Sequence, residues 1–169
     1  MFWGGGSVVE LQHLFNGSAL NAVDGKGRLS IPAFVRSIVE RRSPERAIIL
    51  GKHEVDPCLV GYDANYNSNL LEDVRRRRLR EEEQGADVRL HHSRSRRTFG
   101  FTETATYDSS GRINLPPMMR KVGQIEDLVL FIGAGETFEM WNPRLALESE
   151  DPELRAWAAY RLEERGVAP

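Results

Sequence analysis

Polar and apolar residues alternate with period two over residues 102–107, where Thr is interleaved with Glu103, Ala105 and Tyr107, and this predicts a half-buried strand. A similar short strand is expected ahead of Asp24. Two further short strands are read at 29–31 and 113–115, with apolar residues flanking Ser30 and Asn114. The period then changes: after Pro32, Phe34, Val35, Ile38 and Val39 fall on one side of a helix and Arg36, Glu40 and Arg41 on the other. Residues 47–50 and 128–132 are short apolar runs of the buried-strand type, and strands at 58–62 and 138–141 follow them. A charged helix is expected from Asn69, as N-cap, to about Gln84, with Glu72 and Asp73 in its first turn and Gly85 ending it. A tail helix starts at Asp151-Pro152-Glu153, places Leu154, Trp157 and Ala158 on one face and stops by Gly166. Short strands mixed with helices indicate an α+β, β-rich fold.

The pattern occurs twice. Residues 22–36 read AVDGKGRLSIPAFVR and residues 106–120 read TYDSSGRINLPPMMR, so that Asp, Gly-Arg, Pro and a final Arg recur in one register at 24, 27, 28, 32 and 36 and at 108, 111, 112, 116 and 120. Two copies of one small unit, each too short to bury its own apolar face, are expected to share a core. In each copy Asp and Gly define a turn between two strands, because Asp bonds the backbone two residues on and Gly accepts a positive φ. Pro32 and Pro116 suit the first turn of the following helix. The divisions expected are an N-terminal extension at 1–13, containing Gly4-Gly5-Gly6 and read as unpacked or as a start-site artefact, a first repeat at 14–66, a charged connector at 67–97, a second repeat at 98–143 and a helical tail at 144–169.

At 169 residues the chain is long enough for one globular domain or two small ones. It has no apolar run of bilayer length and no signal-peptide pattern, and Cys58 is its single cysteine, so a reducing cytoplasm and no membrane partner are expected. The net charge of -2 hides local imbalance, with Arg75–Arg78, Arg80, Arg94, Arg96 and Arg97 crowding the middle. Glu81, Glu82 and Glu83 follow the first of these, and Arg77 with Glu81 or Arg78 with Glu82 lie one helical turn apart, so a self-paired solvated face is expected. Arg94, Arg96 and Arg97 have no acid close in sequence and are the better candidates for a phosphate or a neighbouring subunit. His91-His92 lacks a third metal ligand, and Gly133-x-Gly135 lacks the remainder of a dinucleotide-binding loop. No cofactor or small-molecule ligand is expected. Nor is an enzyme, since no His stands near the Ser109, Ser110 and Asp108 that would have to serve as nucleophile and acid.

The turns carry the candidate chemistry. A glycine-rich tip lets backbone approach phosphate, and an arginine presented from a tight turn can fork onto guanine O6 and N7 while a two-stranded ribbon enters the major groove. Arg28 is the candidate base reader, and Lys26 the candidate phosphate contact. Asp24 shapes the turn, pairing with Arg28 when DNA is absent. Taken alone, the pentapeptide is read equally well as a turn-stabilising Asp24–Arg28 ion pair. In the second copy Ser109 and Ser110 make the tip less basic, and a structural role for Asp108 and Arg112 is slightly favoured over a base contact. Arg36 and Arg120 are expected to meet acidic groups between the two halves.

Asp24-Gly25-Lys26-Gly27-Arg28 with Ser30-Ile31-Pro32, its second copy Asp108-Ser109-Ser110-Gly111-Arg112 with Leu115-Pro116-Pro117, and the phrase VLFIGAGETFEMWNP at 129–143 resemble the MraZ family of bacterial transcriptional regulators, over roughly residues 14–148. The resemblance implies tandem AbrB-like swapped-hairpin units interleaved into a pseudo-twofold, double-psi-like barrel. It further implies a closed ring of subunits that binds direct repeats in double-stranded DNA upstream of the division and cell-wall gene cluster, usually as a repressor, in the cytoplasm at the nucleoid. The DNA-binding residues it points to are Asp24, Lys26, Gly27, Arg28 and Arg112. Where that family commonly has Met-Phe-x-Gly with a basic residue at x, this chain has Leu14-Phe15-Asn16-Gly17 and lacks the charge. The rival is a ring-forming assembly protein whose loops bind other proteins.

Overall fold

A computed structural model describes residues 13–169. Of the extension expected at 1–13, only His13 lies inside the described residues. The first repeat comprises β1 (Ser18–Ala22), β2 (Arg28–Ser30), α1 (Ala33–Arg42), β3 (Ala47–Lys52) and β4 (Leu59–Tyr62). The connector holds α2 (Asn67–Glu83), α3 (Val88–Ser95) and a π-helical turn (Arg96–Gly100). The second repeat runs through β5 (Thr102–Thr106), β6 (Arg112–Asn114), α4 (Pro117–Val122), β7 (Leu128–Gly133) and β8 (Phe138–Trp141), and the tail holds α5 (Pro143–Leu147) and α6 (Pro152–Glu164).

Among the described residues, six strands form an antiparallel sheet in the order β1-β7-β8-β4-β3-β5, and β2 pairs with β6 in a separate ribbon. The sheet is open, with β1 and β5 at its edges. Its order is unchanged when the repeats are exchanged, since β1 corresponds to β5, β7 to β3 and β8 to β4. The strand ends repeat the relation: the Val23 N–H donates to Asp127 O at 2.8 Å and the Tyr107 N–H to Arg46 O at 3.0 Å.

One core serves both repeats. Leu29, Ile31, Val35, Ile48, Leu50 and Leu59 pack in the same buried cluster as Ile113, Leu115, Val129, Phe131, Phe138 and Met140. Each such side chain contributes about 1.5–3 kcal/mol by leaving water. A second cluster, of Cys58, Leu130, Trp141, Ala146 and Ala158, lies beneath the tail helices, and burial there pushes the Cys58 thiol up and keeps it protonated. Close packing has a consequence at Gly61, which faces Phe138 across β4 and β8. A methyl group at Gly61 would lie 2.3 Å from Cζ of a ring that is fully buried. Gly61→Ala is expected to cost about 1–3 kcal/mol, read as a lower urea midpoint at unchanged slope; an unaltered midpoint would show that the ring has room to yield.

The structure departs from the expected elements at several places, and with α2 starting at Asn67 its first turn holds no acid, so Glu72 and Asp73 lie beyond it. Asn69 is not a cap: α2 begins at Asn67, after a 3₁₀ turn at Ala64–Tyr66 whose buried Asp63 accepts the Asn65 N–H at 3.1 Å. Asp63 is held in turn by Arg42 at 3.2 Å, a long-range partner that no local pattern announces. Pro32 and Pro116 stand one position before their helices rather than in the first turn. On α6 the buried face is Leu154, Ala158 and Leu162, at i, i+4 and i+8, while Trp157 is turned outward and is 52% exposed. Arg94 does have an acid: α3 folds back on α2, and its guanidinium meets both carboxylate oxygens of Glu81, at 2.9 and 2.5 Å.

Candidate nucleic-acid interface

The β2–β6 ribbon is antiparallel and carries the two Asp-to-Arg loops at its opposite ends. Arg28 opposes Asn114, and Arg112 opposes Ser30. Directly opposed residues share a face, so Arg28, Ser30, Arg112 and Asn114 all point outward while Leu29 and Ile113 point into the core. Arg28 and Arg112 are diagonal neighbours, with backbones about 7–8 Å apart.

Each loop is built on its aspartate. Asp24 Oδ1 accepts the N–H groups of Lys26 and Arg28, both at 2.9 Å, and Oδ2 accepts Arg28 Nε–H at 2.7 Å. Asp108 Oδ1 accepts the N–H groups of Ser110 at 2.9 Å and Arg112 at 3.0 Å, and Arg112 Nε lies 3.4 Å from Oδ2. Backbone bonds close both turns, from Gly27 N–H to Asp24 O and from Gly111 N–H to Asp108 O, each at 3.0 Å. Gly27 and Gly111 have φ of +80° and +77°, where a side chain would be strained. Each loop is then tied to the strand exit of the other repeat: Ile31 N–H donates to Gly111 O, and Leu115 N–H to Gly27 O, both at 2.8 Å.

This geometry separates the two readings of the pair. The turn is held mainly by carboxylate-to-backbone bonds, which need no arginine head. Arg28 spends only its Nε–H on Asp24, leaving the four N–H groups of its Nη atoms outward on a side chain that is 53% exposed. The aspartate therefore aims the guanidinium instead of consuming it. Lys26 is exposed at the tip, and Gly27 is buried. The structure thus brings Asp24, Lys26, Gly27 and Arg28 to one end of the ribbon and Arg112 to the other, with the two arginines on the same outer face.

Both loop carboxyls are held below the ordinary aspartate value of 3.8, first by the backbone N–H of Arg28 or of Arg112. The stabilisation from the ionised form is thus complete above that value and is lost as pH falls through the lower folded one. The amide proton shifts of Arg28 and Arg112 are expected to stay flat from about pH 8 to pH 5 and to move only below about pH 4. Movement already near pH 6 would mean that the carboxylates do not hold the loops.

Other candidates take ordinary structural positions. Arg78 pairs with Glu82 at 2.8 Å as expected, but Arg77 reaches Glu54 at 3.0 Å, since Glu81 is occupied by Arg94. Arg96 and Arg97 are exposed on the π turn. Arg36 and Arg120 do not join acids across the halves: Arg36 Nε lies 3.6 Å from Glu40 of its own helix, and Arg120 donates to the carbonyls of Ile125 and Glu126. Gly135 forms the bridge to Phe15, and Gly133 N–H donates to Gly17 O at 2.8 Å. Among the described residues, His53, Asp56 and Glu139 are the one group close enough to hold a metal ion. His53 Nδ1 already accepts the Val55 and Asp56 N–H groups at 3.2 and 3.0 Å, which leaves the ring proton on Nε2, 3.4 Å from Glu139, while Trp141 Nε1–H donates to Glu139 at 2.7 Å. That arrangement is satisfied by hydrogen bonds without a cation.

No protein-family model matches the chain. Curated relatives do. It is 28% identical over 137 residues to the Transcriptional regulator MraZ of Gluconobacter oxydans, covering 80% of this chain and 79% of that protein. Identity to the protein of the same name from Ruegeria pomeroyi is 29% over 148 residues, covering 85% and 86%. With that of Phocaeicola vulgatus it reaches 30% over 132 residues, covering 78% of this chain and 81% of the relative. The chain belongs to the MraZ family. Its members matched here are named as regulators of transcription. No helix among the described residues is long and apolar enough to cross a membrane.

Proposed function

We propose that this protein is a transcriptional regulator that binds double-stranded DNA sequence-specifically, with Arg28 reading a base edge, Lys26 meeting phosphate, Asp24 and Gly27 shaping the loop and Arg112 adding a second contact. The observation that carries the proposal is the placement of the two loops at the ends of one exposed ribbon, each arginine oriented by an aspartate through Nε, with its Nη groups donating no hydrogen bond among the described residues. A two-stranded ribbon is narrow enough for the major groove, and Arg to guanine is the commonest specific contact there.

The finer picture extends this. The repeats at 14–66 and 98–143 act as AbrB-like swapped-hairpin units, a view supported by the strand order, in which each repeat's outer strand pairs with the other repeat. The protein self-associates into a closed ring at the nucleoid, and the ring represses from direct repeats upstream of the division and cell-wall gene cluster. Outward-facing Trp157 and Tyr160 on α6, and Phe101 and Met118 on the second repeat, are apolar surface of the kind subunit contacts cover.

The test is a mobility shift on the protein's own upstream DNA beside scrambled DNA of equal length. Preference for the native sequence supports the proposal, and equal affinity for both removes it. Loops that bound protein partners instead of DNA would give no shift at all. Lys26→Ala is expected to weaken binding to every sequence alike and to flatten the dependence of log affinity on log salt by roughly 1, the loss of one phosphate contact. A sequence-selective loss would instead make Lys26 a base reader.

A further inference from the structure

We propose that Arg36 and Arg120, the last residues of the repeated motif, are positioning residues that each hold the DNA-contacting loop of the other repeat. A methyl group at Gly111 would come within 2.4 Å of Arg36 Nη1, 3.1 Å of its Cδ and 3.4 Å of its Cζ. The side chain of Arg36 therefore lies against the floor of the second loop. At Gly27 the nearest atom to such a methyl is Arg120 Nη1, at 3.7 Å. Arg120 is pinned on its far side, Nε to Ile125 O at 3.2 Å and Nη2 to Glu126 O at 2.7 Å, and its remaining nitrogen faces Gly27.

Backbone contacts have the same crossed sense. The segment that leads from β2 into α1 gives Ile31 N–H to Gly111 O and then, five residues on, the guanidinium of Arg36 beneath the same glycine; the segment from β6 into α4 does likewise with Leu115, Arg120 and Gly27. Glycine is thus required at both loops for a positive φ, and at Gly111 also for the space the arginine fills. A planar guanidinium suits that space better than an ammonium, because it lies flat on a peptide surface. The contact is closer at Gly111, beneath the loop whose tip carries Ser109 and Ser110 and no lysine. Arg36 thereby also brings a cation under the less basic loop, part of whose charge is met by Glu40 at 3.6 Å.

The loop geometry is tested without DNA and its consequence with DNA, the second arm resting on the proposed function. In the full-length protein, Arg36→Met is expected to shift the amide signals of Ser110 and Arg112 and leave those of Lys26 and Arg28 in place. Arg120→Met should do the reverse, and neither should move the urea midpoint by much. Shifts confined to the variant's own repeat, or no loop shifts, would overturn the proposal; if Arg36→Met does not fold, Arg36→Lys is measured in its place with the same criteria. On promoter DNA, Arg120→Met should be non-additive with Arg28→Ala by about two-fold or more and additive with Arg112→Ala, the pattern inverting for Arg36→Met. Additivity in all four combinations would overturn the functional part. Should Arg28→Ala leave DNA binding intact, the DNA proposal fails, and the amide shifts alone still decide the crossed support.

Discussion

Arg28→Ala is expected to abolish the preference for promoter DNA while leaving the protein folded. A forked arginine–guanine contact is worth about 1–3 kcal/mol of discrimination, or roughly 5- to 150-fold per contact. Subunits that bind several repeats together would compound the loss, because each weakened site also lowers the avidity of its neighbours. Folding should be spared for two reasons. The side chain is 53% exposed, so its ion pair with Asp24 is the kind that adds little to stability. The Arg28 backbone N–H that anchors the carboxylate survives the substitution. Arg112→Ala should have the smaller effect, since the second tip has no lysine and the Arg112 head is less firmly aimed, 3.4 Å from its aspartate against 2.7 Å in the first loop. Titration of both variants against native and scrambled DNA, with circular dichroism as the control, decides the matter. Native-like selectivity in a folded Arg28→Ala protein would refute the assignment of Arg28.

Much of this site is legible from residue order alone because its geometry is local. Asp24 bonds backbone two and four residues on, and Gly27 takes its positive φ within the same turn. The same holds for strands 128–132 and 138–141, whose apolar runs are buried whatever they pair with. Apart from helix boundaries displaced by a residue or two, the misreadings involve partners brought in by folding. Arg94 looks unpaired until α3 folds back and delivers it to Glu81, thirteen residues earlier. Trp157 shares a helical face with Leu154 and Ala158 by spacing, yet the sheet covers only the strip centred on Ala158 and Leu162, and the indole remains outside. The proposed role of Arg36 and Arg120 is invisible without knowing that the repeats share their strands, since each lies against a glycine in the other copy and neither meets an acid across the halves. The repeated register at 36 and 120 was the available signal, and it marked the positions without naming their partners.

Residues 14–85, expressed alone, are expected not to form a folded monomer. Of the six strand ladders among the described residues, four join the two repeats, and only β3–β4 lies wholly within the first. Cut away from the second repeat, β1 loses β7, β2 loses β6, β4 loses β8 and β3 loses β5. What survives is a single hairpin with α1 and the largely exposed α2, and an isolated two-stranded hairpin is marginal in water at best. The apolar cost points the same way: Phe15, Leu29, Ile48, Leu50 and Leu59, each nearly inaccessible in the whole protein, would lose Ile113, Val129, Phe131, Phe138 and Met140 as neighbours. A fragment of this kind must stay unfolded or find the missing strands in a second copy of itself, since the exchange symmetry of the sheet lets one first repeat stand in the place of the other's second. Sedimentation together with urea unfolding of the fragment distinguishes the outcomes: an unfolded chain, or a dimer whose midpoint rises with concentration, fits the shared core. A monomer that unfolds cooperatively at a concentration-independent midpoint would mean that the first repeat has a core of its own and that the ladders between the halves are dispensable.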